Sequence, residues 1–119
     1  MNVSMLRNLT PHTINIQNAE GERAMLASSG VARVASTPGN LRELDEIPVP
    51  VADCTRFGEV EGLPASVPGV YLIVSALVGS ALRSSGVIRN DVLLLGTGPN
   101  DGAIRENGQV VAVTRLIRY

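Results

Sequence analysis

Val70-Tyr71-Leu72-Ile73-Val74-Ser75-Ala76-Leu77-Val78-Gly79-Ser80-Ala81-Leu82-Arg83 is the stretch on which the fold turns. Its first five residues form a continuous apolar run between Gly69 and Ser75, the pattern of a strand covered on both faces. Tyr71 to Val74 is therefore expected to be an interior, central strand. Ser75 offers a hydroxyl that can cap the orphan N–H groups of a following helix. Leu77, Val78, Ala81 and Leu82 fall on one side of such a helix, and Ser84-Ser85-Gly86 stops it. The spacing predicts a helix over Ala76 to Arg83.

Downstream, Asp91 to Leu95 is a second buried-strand pattern, ended by Gly96-Thr97-Gly98-Pro99. The chain then closes as a hairpin, with Ala103 to Arg105 and Gln109 to Val113 flanking Glu106-Asn107-Gly108; Asn-Gly is the preferred pair for a type I′ turn. Upstream, Asn8 to His12 reads as a bend because Pro11 fixes φ and pushes Thr10 towards extended geometry. Thr13 to Gln17 alternates polar and apolar residues like a half-buried strand, Asn18 to Gly21 supplies a turn, and Arg23 to Leu26 continues as a second arm. Val31 to Ala35 then reads as the next strand of a meander.

The middle of the chain is different in character. Ser36 to Glu46 holds Pro38, Gly39 and a local charge cluster, the composition of an exposed connection with at most one helical turn at Leu41 to Leu44. Ile47-Pro48-Val49-Pro50-Val51 alternates cleanly, but its prolines remove two ladder donors, which confines it to an edge strand or an extended crossing segment. Phe57 to Val60 fits a short strand, and Glu61 to Gly69 a rigid, turn-rich loop. Together these elements describe one compact α+β domain over residues 1–119, a mostly antiparallel twisted sheet with one short helix.

Composition bounds what such a domain can do. The 119 residues are 45% hydrophobic and 18% charged, too apolar for a disordered chain. Phe57, Tyr71 and Tyr119 are the only aromatic residues and the formal net charge is −1, so stacking platforms and a basic groove for nucleic acid are both missing. All ten basic residues are Arg, a choice that follows from GC-rich coding or from bidentate recognition of carboxylate and phosphate. Cys54 stands alone, which rules out an intrachain disulfide and a redox pair and is compatible with a cytoplasmic location. The longest apolar stretch is far below the ~20 residues of a membrane helix, and no basic patch with an apolar h-region opens the chain. Few charges, a short helix and a proline-limited edge strand leave surface for a second copy to cover, so self-association is expected.

Candidate chemistry is sparse. His12 is the only histidine, and no Gly-x-Ser-x-Gly elbow surrounds any serine. Glu59 and Glu61 share a strand face but complete no closed ligand set, so neither a metal nor a cofactor is expected. Gly96-Thr97-Gly98 follows a strand, and glycines let backbone N–H groups approach an anion; without a Gly-Lys-Ser/Thr it is neither a Walker A loop nor a dinucleotide fingerprint. Arg33, Arg89 and Arg115 sit beside strand patterns, where arginines either pair locally, as Arg89 can with Asp91, or line a cleft.

Asn8-Leu9-Thr10-Pro11-His12, Ser29 to Arg33, Gly58 to Pro64, Tyr71 to Val78 and Arg89 to Leu93 resemble a group of short proteins encoded in phages, prophages and bacterial genomes. The resemblance spans most of the chain, with the Asn-Leu-Thr-Pro-His opening and Val-Ser-Ala as its most specific parts. It implies a small phage-type accessory protein, of the kind that sequesters nucleotide signals of host defence. The expectation is a non-catalytic protein that binds a small anionic, nucleotide-like ligand through Thr10, His12, Arg33, Arg89, Gly96, Thr97 and Gly98. The alternatives are a small hydrolase or lyase using His12 with Glu59 or Asp91, and a protein-binding or structural module.

Overall fold

The computed structural model describes residues 1–119. Its centre is the apolar run: β8 (Tyr71–Ile73) lies between β1 (Leu6–Asn8) and β9 (Val92–Leu95), parallel to both. β12 (Leu116–Arg118) adds antiparallel to β9 and completes a four-stranded sheet in the order β1-β8-β9-β12. The remaining strands pair antiparallel in two-stranded ribbons, so most pairings in this α+β fold are antiparallel.

Alternation along β8 builds two cores. Leu72 and Val74 face one side, where they join Val78 and Leu82 of helix α1 (Ala76–Ser84), Leu9, Ala32 and Val92. Ile73, with no exposed surface, faces the other and packs with Ile14, Leu26 and Val113. Covering both faces is what a continuous apolar strand requires. α1 begins where the Ser75 hydroxyl accepts the Val78 N–H at 3.3 Å. It packs closely on the sheet at Gly79, where an added Cβ would stand 2.8 Å from a Leu94 methyl.

Hairpin β2 (Ile14–Gln17) with β3 (Arg23–Leu26) covers the second face. Hairpin β10 (Ile104–Glu106) with β11 (Gln109–Ala112) turns at Asn107 and Gly108, whose φ values of 52° and 79° are those of a type I′ turn. β4 (Arg33–Thr37) corrects the expected meander: it pairs not with β3 but with β7 (Arg56–Glu61), and the two lie against α1. Beyond them β5 (Leu41–Arg42) pairs with β6 (Val51–Ala52), clasped by the Arg42 Nε–H, which is shared between the two Asp53 carboxylate oxygens at 2.9 and 3.0 Å. Residues 41–44, expected to hold at most a helical turn, thus begin as a strand, and the two prolines lie in the loop between β5 and β6.

Residues 33–61 therefore form a long ribbon, exposed along residues 40–52. It accounts for a radius of gyration of 17.0 Å, against about 13.5 Å for a rounded domain of this length. No helix is long and apolar enough to cross a membrane.

Candidate functional site

Three turns emerge at the carboxyl ends of the parallel strands: Leu9 to Thr13 after β1, Val74-Ser75 after β8 and Gly96-Thr97 after β9. In sheets with parallel strands this edge is where ligands bind, because the chain leaves each strand there and splays apart. A cleft of about 720 Å³ opens at this edge, walled on its far side by Val110 and Val111 of β11. Nine of its sixteen lining residues are hydrophobic, among them Ile14, Val74, Leu94 and Leu95.

Polar groups gather among them. His12 and Thr97 are exposed, and their side chains make no hydrogen bond within the chain. Ser75 keeps its hydroxyl hydrogen free while accepting from Val78. Ala76, at the start of α1, carries a first-turn N–H that no helical carbonyl can take, and the positive end of the helix dipole lies beside it. The lining contains no carboxylate, and His12 is its only titratable residue. Arg105 stands beside the cleft, donating to the Thr97 carbonyl at 2.7 Å.

The turn after β1 is held by a side chain that sequence reasoning passed over. Asn8 is 1% exposed, and its amide donates to the carbonyls of His12 at 2.7 Å and Leu26 at 2.9 Å. Its Oδ1 accepts from the N–H and the hydroxyl of Thr10 at 3.0 and 2.7 Å. Asn-x-Thr-Pro is the spacing of an Asx-type turn, a signal that was available. Thr10 is buried, and its hydroxyl is directed to Asn8, so it shapes the cleft wall more than it offers a free contact.

The expected ligand set is only partly gathered. Thr10, His12 and Thr97 line the cleft. Gly96 and Gly98 lie beside it, but their N–H groups are engaged, Gly96 with the Arg115 carbonyl at 3.0 Å and Gly98 with the Asp101 carboxylate at 2.7 Å. The Thr97 N–H bonds the Leu95 carbonyl, so the glycine turn offers no free anion-binding amide. Arg33 is exposed at the start of β4, opposite Glu61, and does not line the cleft.

Arg89 stands at the other end of the sheet. Its guanidinium grips Asp91 bidentately at 2.7 and 2.9 Å and donates to the Pro64 carbonyl at 3.0 Å. Its backbone N–H donates to the Tyr119 hydroxyl, which in turn donates to Val87. This knot ties the loop after α1 to the proline-rich loop and the last residue. The Arg89 hydrogen bonds hold the Asp91 carboxyl below its usual range, against the opposing effect of burial. Asp91 precedes β9, about 10 Å along the strand from Leu94, the nearest cleft residue on that strand, and Glu59 lies on the exposed ribbon; neither lines the cleft with His12. No group of three or more His, Cys, Asp or Glu side chains gathers anywhere in the chain.

Comparison with known proteins finds no family model, no curated protein and no solved structure that matches this chain.

Proposed function

We propose that this chain binds, without transforming it, a small molecule with an apolar, nucleoside-like body and an anionic group. The observation that carries this reading is the cleft: a wall of aliphatic side chains meets a cluster of donors at the carboxyl edge of the parallel strands. Its volume lies within the range of pockets that enclose small ligands. The body would rest against Leu94, Val110 and Val111, and the anionic group would face the start of α1, Ser75, Thr97 and His12, with Arg105 at the margin. Arg33 and Arg89 have no part in this arrangement.

A lining without a carboxylate leaves His12 no partner to orient or polarise it, which favours binding over general acid–base chemistry. In a phage-type accessory protein acting in the cytoplasm, such binding would sequester a host signal. The test is mass spectrometry of small molecules released when protein purified from defence-active cells is denatured. An intact phosphate-bearing compound recovered in near-stoichiometric amount is expected. Recovery of none, or of a compound the native protein converts on incubation, would refute the reading.

A further inference from the structure

Two exposed surfaces far from the cleft carry opposite charge. The first is the tip of the ribbon, where Glu43, Asp45 and Glu46 form no ion pair and Arg42 is already committed to Asp53. Leu44 lies between these acids and Ile47 and Val49 follow them, exposed at 48%, 47% and 63% and belonging to neither core.

The second surface lies at the opposite end of the sheet from the cleft, between the end of α1, the loop after it and β12. Two adjoining hollows there share Ile88 and Arg118, and Arg83 borders one of them. Ile88 is 87% exposed and its neighbour Val87 40% exposed, so the two form an adjoining apolar surface beside the arginines. Arg83 and Arg118 make no ion pair, while Arg89 is neutralised by Asp91. The patch is therefore apolar and doubly positive, where the tip is apolar and triply negative.

Within one copy the two surfaces are apart: no residue of the tip, 43–49, lines either hollow. From Glu61, at the base of the ribbon, the chain runs through β7 to Arg56, crosses three residues that belong to no strand, and re-enters pairing at β6, so the tip is carried on two successive two-stranded segments. The base itself leads within three residues to Pro64, whose carbonyl is bound to Arg89 beside the patch.

We infer that the tip of the ribbon, Glu43 to Val49, docks on the Arg83–Ile88–Arg118 patch of a second copy of this chain, giving head-to-tail self-association. Opposite charges set the register while Ile88 is covered by Leu44 and Ile47. Because each copy offers one tip and one patch, the contact is heterologous, closing as a ring or continuing as a filament.

The experiment is sedimentation velocity on the full chain, with circular dichroism to confirm that every variant is folded. One variant carries Glu43→Arg with Glu46→Arg, a second carries Arg83→Glu with Arg118→Glu, and a third carries all four; every site is on the surface. Concentration-dependent association of the native chain at low salt is expected, weakened at least tenfold (about 1.4 kcal/mol) by either pair of reversals. It should also weaken at about 0.5 M salt, where exposed charges are screened over a few ångströms. The four-fold variant, with both charges exchanged, should associate again, as should an equal mixture of the first two. A native chain that stays monomeric, association that either pair leaves intact, or failure of the four-fold variant to recover would overturn the inference.

Discussion

Replacing Asn8 by Asp changes one atom's worth of shape and two hydrogen bonds. The carboxylate keeps the acceptor that Thr10 uses but turns a donor into a second oxygen facing the carbonyls of His12 and Leu26, now 2.7 and 2.9 Å from the amide nitrogen. Two lost hydrogen bonds cost about 1 kcal/mol each, and a desolvated charge against two carbonyl oxygens adds at least as much, so about 3–5 kcal/mol is expected. For a chain of this length that lowers Tm by about 10–20 °C. Protonation returns one donor to the site, so a carboxyl here is held protonated more readily than in the unfolded chain. The variant's deficit is then largest at neutral pH and narrows in acid. Urea denaturation of both proteins between pH 4 and pH 8 measures this. A deficit below about 1 kcal/mol at neutral pH, or one that widens in acid, would refute the account of the Asn8 turn.

Asp91, held below the usual carboxylate range, contributes stability that is complete above the unfolded pKa of about 3.9 and is lost as pH falls through the lower folded value. Asp91→Asn should therefore flatten the acid limb of the stability curve below pH 4, which equilibrium unfolding across that range would record. Leu72→Ala, at a side chain only 4% exposed, should cost about 3 kcal/mol in urea denaturation with an unchanged m-value. Gly79→Leu, placed against Leu94, should cost about 2–3 kcal/mol by overpacking the α1–β9 contact, read in the same assay.

Local pattern carried the parts of this fold that are locally determined. The run Val70 to Val74 announced a strand covered on both faces, Ser75 announced the helix, and Asn107-Gly108 announced its hairpin, each because one short segment holds the whole signal. β1 was hidden because Leu6-Arg7-Asn8 has no strand-like alternation; it is extended by main-chain pairing with β8, a partner some 65 residues away. β12 is three residues long and equally dependent on β9. The expected meander failed for the same reason, since nothing in Val31 to Ala35 reveals that its partner lies at Arg56 to Glu61 and not in the hairpin before it.

The site divides along the same line. Thr10, His12 and Thr97 were singled out beside turns and strands, and the parallel order of β1, β8 and β9 brings their turns to one edge. Arg33 and Arg89 were chosen as arginines near strand patterns, but an arginine beside a strand does not reveal which end of the sheet it occupies. Arg89 also had a nearer partner two residues away. The glycine turn was read for open amides, which the folded chain spends on Asp101, Arg115 and Leu95. Ser75, Ala76 and the β11 wall enter the cleft only through tertiary packing.

The most direct test of the central claim is a thermal-shift titration of mono-, di- and cyclic nucleotides and nucleotide sugars against the native chain and a Thr97→Trp variant. Thr97 is an exposed residue of the cleft lining, so the indole fills the cleft without disturbing either core. A ligand at about a hundred times its dissociation constant adds roughly 2.7 kcal/mol to the folded state, a rise in Tm of about 8–14 °C for this chain length. The account predicts that rise for at least one phosphate compound with the native chain, its loss with Thr97→Trp, and its retention with Arg33→Ala. No shift with any phosphate compound, or a shift that Thr97→Trp leaves whole, would contradict it.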